Sequence, residues 1–257
     1  MLSVSMNEAI CRALLRRRQE LAIPVGQKVA FNTGNPASED LLNDLRGHPH
    51  AFVLACVMDR QIIAERAWLI PYSLRQRLGC FDSCYLAELP VERFLAAFSD
   101  PPPLHRFPEV MAKNAYAAIH HIRDEYRGDA SRIWSDCPSS ALLVLRFLRF
   151  QGAGPKIATM AANILVRDFH VPVSDKYSID ISPDVQVRRV FARLGLIREE
   201  ASDQELTYAA RAMHPDYPGI FDLAAWDVGR TWCHPKKPDC GHCCLSSVCP
   251  ATETPTC

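Results

Sequence analysis

The chain is expected to be all-α. Two observations carry this. Apolar residues recur at helical spacing through most of the 257 residues, as at Ile157, Met160, Ala161, Ile164 and Leu165. No run of alternating apolar and polar residues is long enough to found a sheet, so strands are expected to be absent or marginal.

In chain order, residues 7–21 read as an amphipathic helix with a basic face. Residues 24–37, rich in Gly, Pro and Asn, form a loop. Ser38 is placed to cap a short helix that ends at Gly47. Residues 51–69 make a buried helix, or a pair of them, interrupted near Asp59-Arg60-Gln61. Gln61 is polar inside an apolar run, which reads as an exposed face or a capped break. Residues 91–98 form a further helix, and Pro101-Pro102-Pro103 is a rigid break. Residues 107–126 are amphipathic and closed by Gly128. Adjacent His120 and His121 point to different helix faces and so do not share a metal. Residues 168–183 break the helical pattern and read as an ordered loop. Helical spacing resumes at 185–196, Ser202-Asp203-Gln204-Glu205 has capping-box form, and 221–230 is the last helix.

Composition narrows the function classes. A hydrophobic fraction of 48% and a charged fraction of 23% are those of a soluble globular protein. Net charge is zero, so any nucleic-acid face must come from local distribution. The longest apolar runs, such as 52–58, are too short to cross a bilayer. No apolar signal core is visible at the N-terminus, and a cytoplasmic protein with no membrane partner is expected.

Two stretches carry chemistry. Gln151-Gly152-Ala153-Gly154-Pro155-Lys156-Ile157-Ala158 reads as a glycine turn between two helices, the upstream one spanning 141–150. Gly152 and Gly154 allow positive φ and leave loop amides uncovered. Pro155 suits the first helical position. Amides at a helix N-terminus grip phosphate without reading sequence. Lys156 falls in the first helical turn, where the macrodipole is expected to lower its pKa and favour an amine nucleophile. A plain interhelical turn with a solvated lysine is the alternative.

The second stretch holds Cys233, Cys240, Cys243 and Cys249, spaced C-x6-C-x2-C-x5-C, among eleven cysteines in all. Four thiolates that close can hold a metal or a cuboidal cluster. Zinc sites of four cysteines usually pair two C-x2-C knuckles. A single tight pair flanked by longer reaches favours a [4Fe–4S] cluster, with zinc as the rival. Arg230, His234, Lys236 and Lys237 lie in or beside the loop from Cys233 to Cys240, and present basic groups to phosphates if the loop is held rigidly. Cys80, Cys84, Cys244 and Cys257 fit no ligand pattern.

These motifs together resemble the helix-hairpin-helix DNA glycosylases, in the iron–sulfur branch typified by endonuclease III. The resemblance covers roughly 47–250. The hairpin matches the family's L-P-G-V-G-x-K-x-A, the segment from Pro183 to Leu196 matches its aspartate-bearing stretch, and Gly229-Arg230-Thr231-Trp232-Cys233 with the later cysteines matches its cluster loop in every spacing. The resemblance implies a two-lobed all-α fold: 47–167 a six-helix lobe ending in the hairpin, 1–46 and 168–257 the cluster lobe, with DNA bound between them. It implies that Lys156 is the catalytic lysine of bifunctional members and Asp184 the shared aspartate. Gln61 fills the gap left by a flipped nucleotide, and Gly152 and Gly154 contact phosphate. The implied function is base-excision repair by a monomeric DNA glycosylase with AP-lyase activity. It flips a damaged base, by default an oxidised pyrimidine, out of double-stranded DNA. A monofunctional glycosylase for alkylated or mispaired bases, and a non-catalytic DNA-binding iron–sulfur protein, are the alternatives. Gln151 departs from the family's proline, Val185-Gln186 from its Thr-His, and the interval from Lys156 to Asp184 is about ten residues longer, an ordinary loop insertion.

Overall fold

The computed structural model describes residues 4–253, and within them no strand forms. Among the described residues twelve α-helices, with short 3-10 turns between them, make up the regular structure: α1 Val4–Glu20, α2 Pro36–Asn43, α3 Pro49–Met58, α4 Ala64–Leu78, α5 Ser83–Glu88, α6 Val91–Ser99, α7 Pro108–Tyr126, α8 Ser140–Leu148, α9 Pro155–Arg167, α10 Val185–Arg193, α11 Asp203–Met213 and α12 Asp222–Thr231. Proline opens α2, α3, α7 and α9, at a position where the missing N–H has no helical partner to lose.

The buried side chains form two clusters. The larger gathers α2 to α9 around α3, whose ten residues are all buried, with Phe52, Trp68, Phe94, Phe98, Phe147 and Phe150 as its bulk. The smaller joins α1, α10, α11 and α12 through Ile10, Leu14, Val187, Val190, Phe191, Leu206, Phe221 and Val228. Ile220, just before α12, packs against both. Burial of this kind stabilises by about 25 cal/mol per Å² of apolar surface, so the helices hold mainly through their faces.

The partition differs from the expected division at residue 46. Of residues 1–46, only those of α1 pack with the cysteine-bearing segment. Val29, Phe31, Leu41 and Leu42 belong to the larger core, because α2 lies on α3 and α4. Phe169, Val171, Val173 and Ile179 of the long loop also pack there. The first cap differs as well. Asn35, not Ser38, accepts the N–H groups that open α2, at 3.0 and 3.1 Å from Ala37 and Ser38, and Ser38 is buried within the helix. Ser202 caps α11 through Glu205 N–H as its sequence implies.

Three features aim the helices at one place. α3 and α4 are separate helices joined by a turn at 59–63, with Gln61 in the left-handed region at φ 54°. α8 and α9 pack as a hairpin across the glycine turn. α10 lies against α12 closely enough that a Cβ on Gly229 would come within 2.7 Å of Gln186, a contact only glycine allows.

Candidate active site

The glycine turn is held from below. Gly152 sits at φ +88°, and Asn114 of α7 lies where a Cβ would project, at 2.5 Å. Asn114 is buried and its side-chain carbonyl accepts from Gln151 Nε2 at 3.1 Å. Gly154 corrects an expectation. Its φ is −99°, so it needs no left-handed freedom, and the space where its Cβ would stand is open. Gly152 alone makes the turn.

Lys156 stands second in α9, part-exposed, and two carboxylates face it. Its Nζ donates to Asp59 Oδ2 at 3.3 Å and lies 3.6 Å from Asp184 Oδ2. Asp184 caps α10, its Oδ1 accepting the Gln186 N–H at 2.8 Å. Asp59 ends α3 and is buried. Lys156 and Asp184, 28 residues apart in sequence, are therefore neighbours.

The electrostatics reverse the expectation for Lys156. Burial pulls its pKa down, but Asp59 and Asp184 outweigh that and hold it above the usual lysine value. The partial charge of a helix end cannot compete with two full charges at this range. The resting amine is an ammonium. Burial pushes the Asp59 carboxyl up, against the pull of Lys156. Sequence reasoning missed Asp59. The polar interruption at 59–61 marked the segment, but only the fold shows which of its residues meets the lysine.

Among the other expected site residues, Gln61 is exposed in the turn beside Asp59. Arg230 is committed: it pairs with Glu65 of α4 at 2.6 Å and stacks over Trp226 at 4.6 Å. It ties α12 to α4 more than it offers a group to phosphate. Lys236 and Lys237 are exposed on a segment fastened to α10. Arg193 donates to the carbonyls of His234 and Pro235 at 2.8 and 3.0 Å, and Arg189 to those of Cys233 and Gly229 at 2.6 and 2.8 Å.

The four cysteines Cys233, Cys240, Cys243 and Cys249 are half-buried, and three of them pack on the edge of the smaller core. Arg193 donates to Cys233 Sγ at 3.3 Å, and Cys249 Sγ lies 3.6 Å from the Arg193 carbonyl. Among the described residues no three His, Cys, Asp or Glu side chains converge on a single ion. The donor chemistry, four thiols on one short segment with a guanidinium supporting one sulfur, fits a thiolate-held cluster. Cys257 lies outside the described residues. A cavity of about 370 Å³ between α1 and this segment, lined by Arg12, Arg16, Arg17 and Cys244, is separate from Lys156.

The two lobes, the hairpin between them and the lysine at their junction make this the fold of the helix-hairpin-helix DNA glycosylases, the endonuclease III kind. A trapped covalent intermediate of endonuclease III with DNA superposes with a TM-score of 0.58 over 87% of this chain and 97% of that one, at 18% identity. A thermostable thymine-DNA glycosylase superposes at 0.64 over 97% of each chain, at 15% identity. In sequence, the chain is similar to endonuclease III homolog 2 (chloroplastic) of Arabidopsis thaliana, 28% identical over 141 residues. That match takes in 51% of this chain and 32% of the relative's length. No family model matches the chain.

Proposed function

We propose that the chain is a base-excision-repair DNA glycosylase with AP-lyase activity, acting on double-stranded DNA that carries a damaged base or an abasic site. One observation carries this reading: the hairpin amine of Lys156 and the helix-capping carboxylate of Asp184 stand 3.6 Å apart at the meeting of the lobes. The structural neighbours, a covalent endonuclease III–DNA complex and a thymine-DNA glycosylase, support it.

A base within a duplex shields its own sugar, so the nucleotide has to leave the stack. The amides around Gly152 and Gly154 hold a phosphate, Lys236 and Lys237 hold others, and Gln61 fills the vacated space. Once deprotonated, Lys156 attacks C1′ of the deoxyribose. The Nζ lone pair forms the new bond, and the C1′–N bond breaks with its electrons on the base, which takes a proton from water. Asp184, at the start of α10, stabilises the positive charge developing on the sugar. Opening of the C1′–O4′ bond leaves a Schiff base, from which loss of a C2′ proton expels the 3′ phosphate. An oxidised pyrimidine is the base we assign. Cys233, Cys240, Cys243 and Cys249 hold a [4Fe–4S] cluster, whose contribution is to fold a segment with little core of its own.

The ammonium state of resting Lys156 favours a second reading, a monofunctional glycosylase in which the lysine stays a cation. Borohydride trapping on duplexes containing thymine glycol or an abasic site separates the two. A covalent adduct is expected, absent in Lys156→Ala and slowed about 10²–10³-fold in Asp184→Asn. Base release without an adduct establishes the second reading. Tight DNA binding with no base released from any lesion overturns both.

A further inference from the structure

The two carboxylates on Lys156 occupy opposite kinds of helix end. Asp184 stands at the N-terminus of α10, where the peptide dipoles and the Gln186 N–H stabilise negative charge. Asp59 stands at the C-terminus of α3, where the same dipoles oppose negative charge. It is also the more enclosed, with its side chain 7% exposed against 19% for Asp184, and it makes the shorter contact to Nζ, 3.3 against 3.6 Å. Two like groups in environments as different as these take different roles.

We infer that Asp59 is a catalytic residue, the base that accepts the Lys156 proton, while Asp184 keeps its helix-capping contact to the Gln186 N–H. The inference rests on the proposed lysine chemistry. The step is the transfer of one proton from Nζ to Asp59 Oδ2. An ammonium and a carboxylate become a neutral amine and a carboxylic acid, and the lone pair on Nζ is left to attack C1′. The transfer cancels two charges. A duplex docked over the part-exposed lysine removes water, which disfavours both charged forms and draws the proton across. Burial already raises the proton affinity of Asp59 in the free protein. The titratable groups that act on the pair are Asp184 on α10, Glu65 on α4, itself paired with Arg230 of α12, and the buried Cys56 thiol of α3. Asp59 thus solves the difficulty set by a lysine that rests charged.

The test is single-turnover borohydride trapping on an abasic-site duplex, as a function of pH, for the wild type, Asp59→Asn and Asp59→Glu. Asp59→Asn should bind the duplex as the wild type does and trap about 10²–10³-fold more slowly at neutral pH. Its rate should recover as pH climbs toward the lysine pKa, where solvent removes the proton. Asp59→Glu should restore part of the rate. An Asp59→Asn protein that traps at the wild-type rate overturns the inference and leaves the lysine mechanism intact. One slowed equally at every pH also overturns it, because that is the signature of a structural role. A wild type that never traps overturns the lysine mechanism and this inference together. Should both variants unfold, the wild-type profile decides. A plateau through neutral pH with an acid limb supports Asp59, and a rate rising tenfold per pH unit overturns it.

Discussion

Gly152 and Gly154 lie two residues apart in one turn and answer to different physics. Gly152 holds φ +88° against the buried Asn114 side chain. Gly152→Ala therefore carries left-handed strain of about 1–2 kcal/mol and a displaced Asn114. Its melting temperature should fall. Gly154 has an ordinary φ and faces open space. Gly154→Ala should melt with the wild type yet, under the phosphate grip proposed above, bind duplex more weakly, because its methyl would fill the open space beside the turn amides. Calorimetry and fluorescence anisotropy on the two variants measure both effects; equal duplex affinity for Gly154→Ala removes the phosphate role. The sequence showed two glycines of one kind. It could not show that only one needs to be glycine for the backbone, since that depends on Asn114, 38 residues away. Lys156 was legible as a candidate for the same reason the glycines were, by local spacing. Its charge state was not, because both carboxylates that determine it come from other elements.

The helices that carry the site are joined by a buried charged group. Arg167, at the end of α9, pairs with Asp168 at 2.7 Å and lies 3.9 Å from Asp222, the first residue of α12. Asp222 Oδ1 accepts the Ser182 N–H at 2.8 Å, two residues before Asp184. This chain of contacts relates the lysine helix to the aspartate helix. Asp222→Ala leaves the Ser182 N–H buried and unpaired. It should cost about 1–3 kcal/mol in chemical denaturation. Trapping should slow as well, because the segment holding Asp184 is released. Unchanged trapping at saturating DNA would mean that α10 is positioned by its packing alone. Helix starts and stops were largely readable, as at Ser202 and Gly128. The α2 cap was not, because Asn35 and Ser38 are equally good capping residues and the burial of Ser38 under α4 chose between them. The ordered course of 168–183 rests on tertiary bonds, Asp180 to Arg211 at 2.7 Å and Ser174 N–H to the Pro138 carbonyl at 3.1 Å, which no local pattern encodes.

For the molecule as a whole, buried and half-buried histidines set an acid limit. Burial lowers the pKa of His50 from 6.5 to about 4, and those of His105, His120 and His121 fall for the same reason. His50 Nε2 bonds to the Phe81 carbonyl at 2.7 Å, inside the larger core. The unfolded chain protonates such groups at higher pH than the folded one. The contribution of His50 is whole above about pH 6.5, is lost as pH falls toward about 4, and levels off below, and the other three act in the same direction. For His50 alone the loss is about 3 kcal/mol. Thermal melts across pH 4–7.5 should show this slope, and His50→Gln should flatten part of it while keeping a donor for the Phe81 carbonyl. A slope unaltered by the substitution would assign the acid limit elsewhere. The lobes themselves are linked by the Arg230–Glu65 ion pair between α12 and α4, and by Ile220, which touches both cores.

Local pattern alone determined the all-α class, the glycine hairpin, the four-cysteine spacing and the lysine worth watching, because each is a matter of short-range spacing along the chain, while Asp184 was singled out only by the family resemblance. The tertiary structure decided the rest: that α2 joins the larger core, that Arg230 bridges the lobes, that Lys156 is charged, and that Asp59 is beside it. Those properties arise from contacts between residues up to 165 positions apart, as between Glu65 and Arg230, and the energy of a charge depends on what surrounds it in space rather than along the chain.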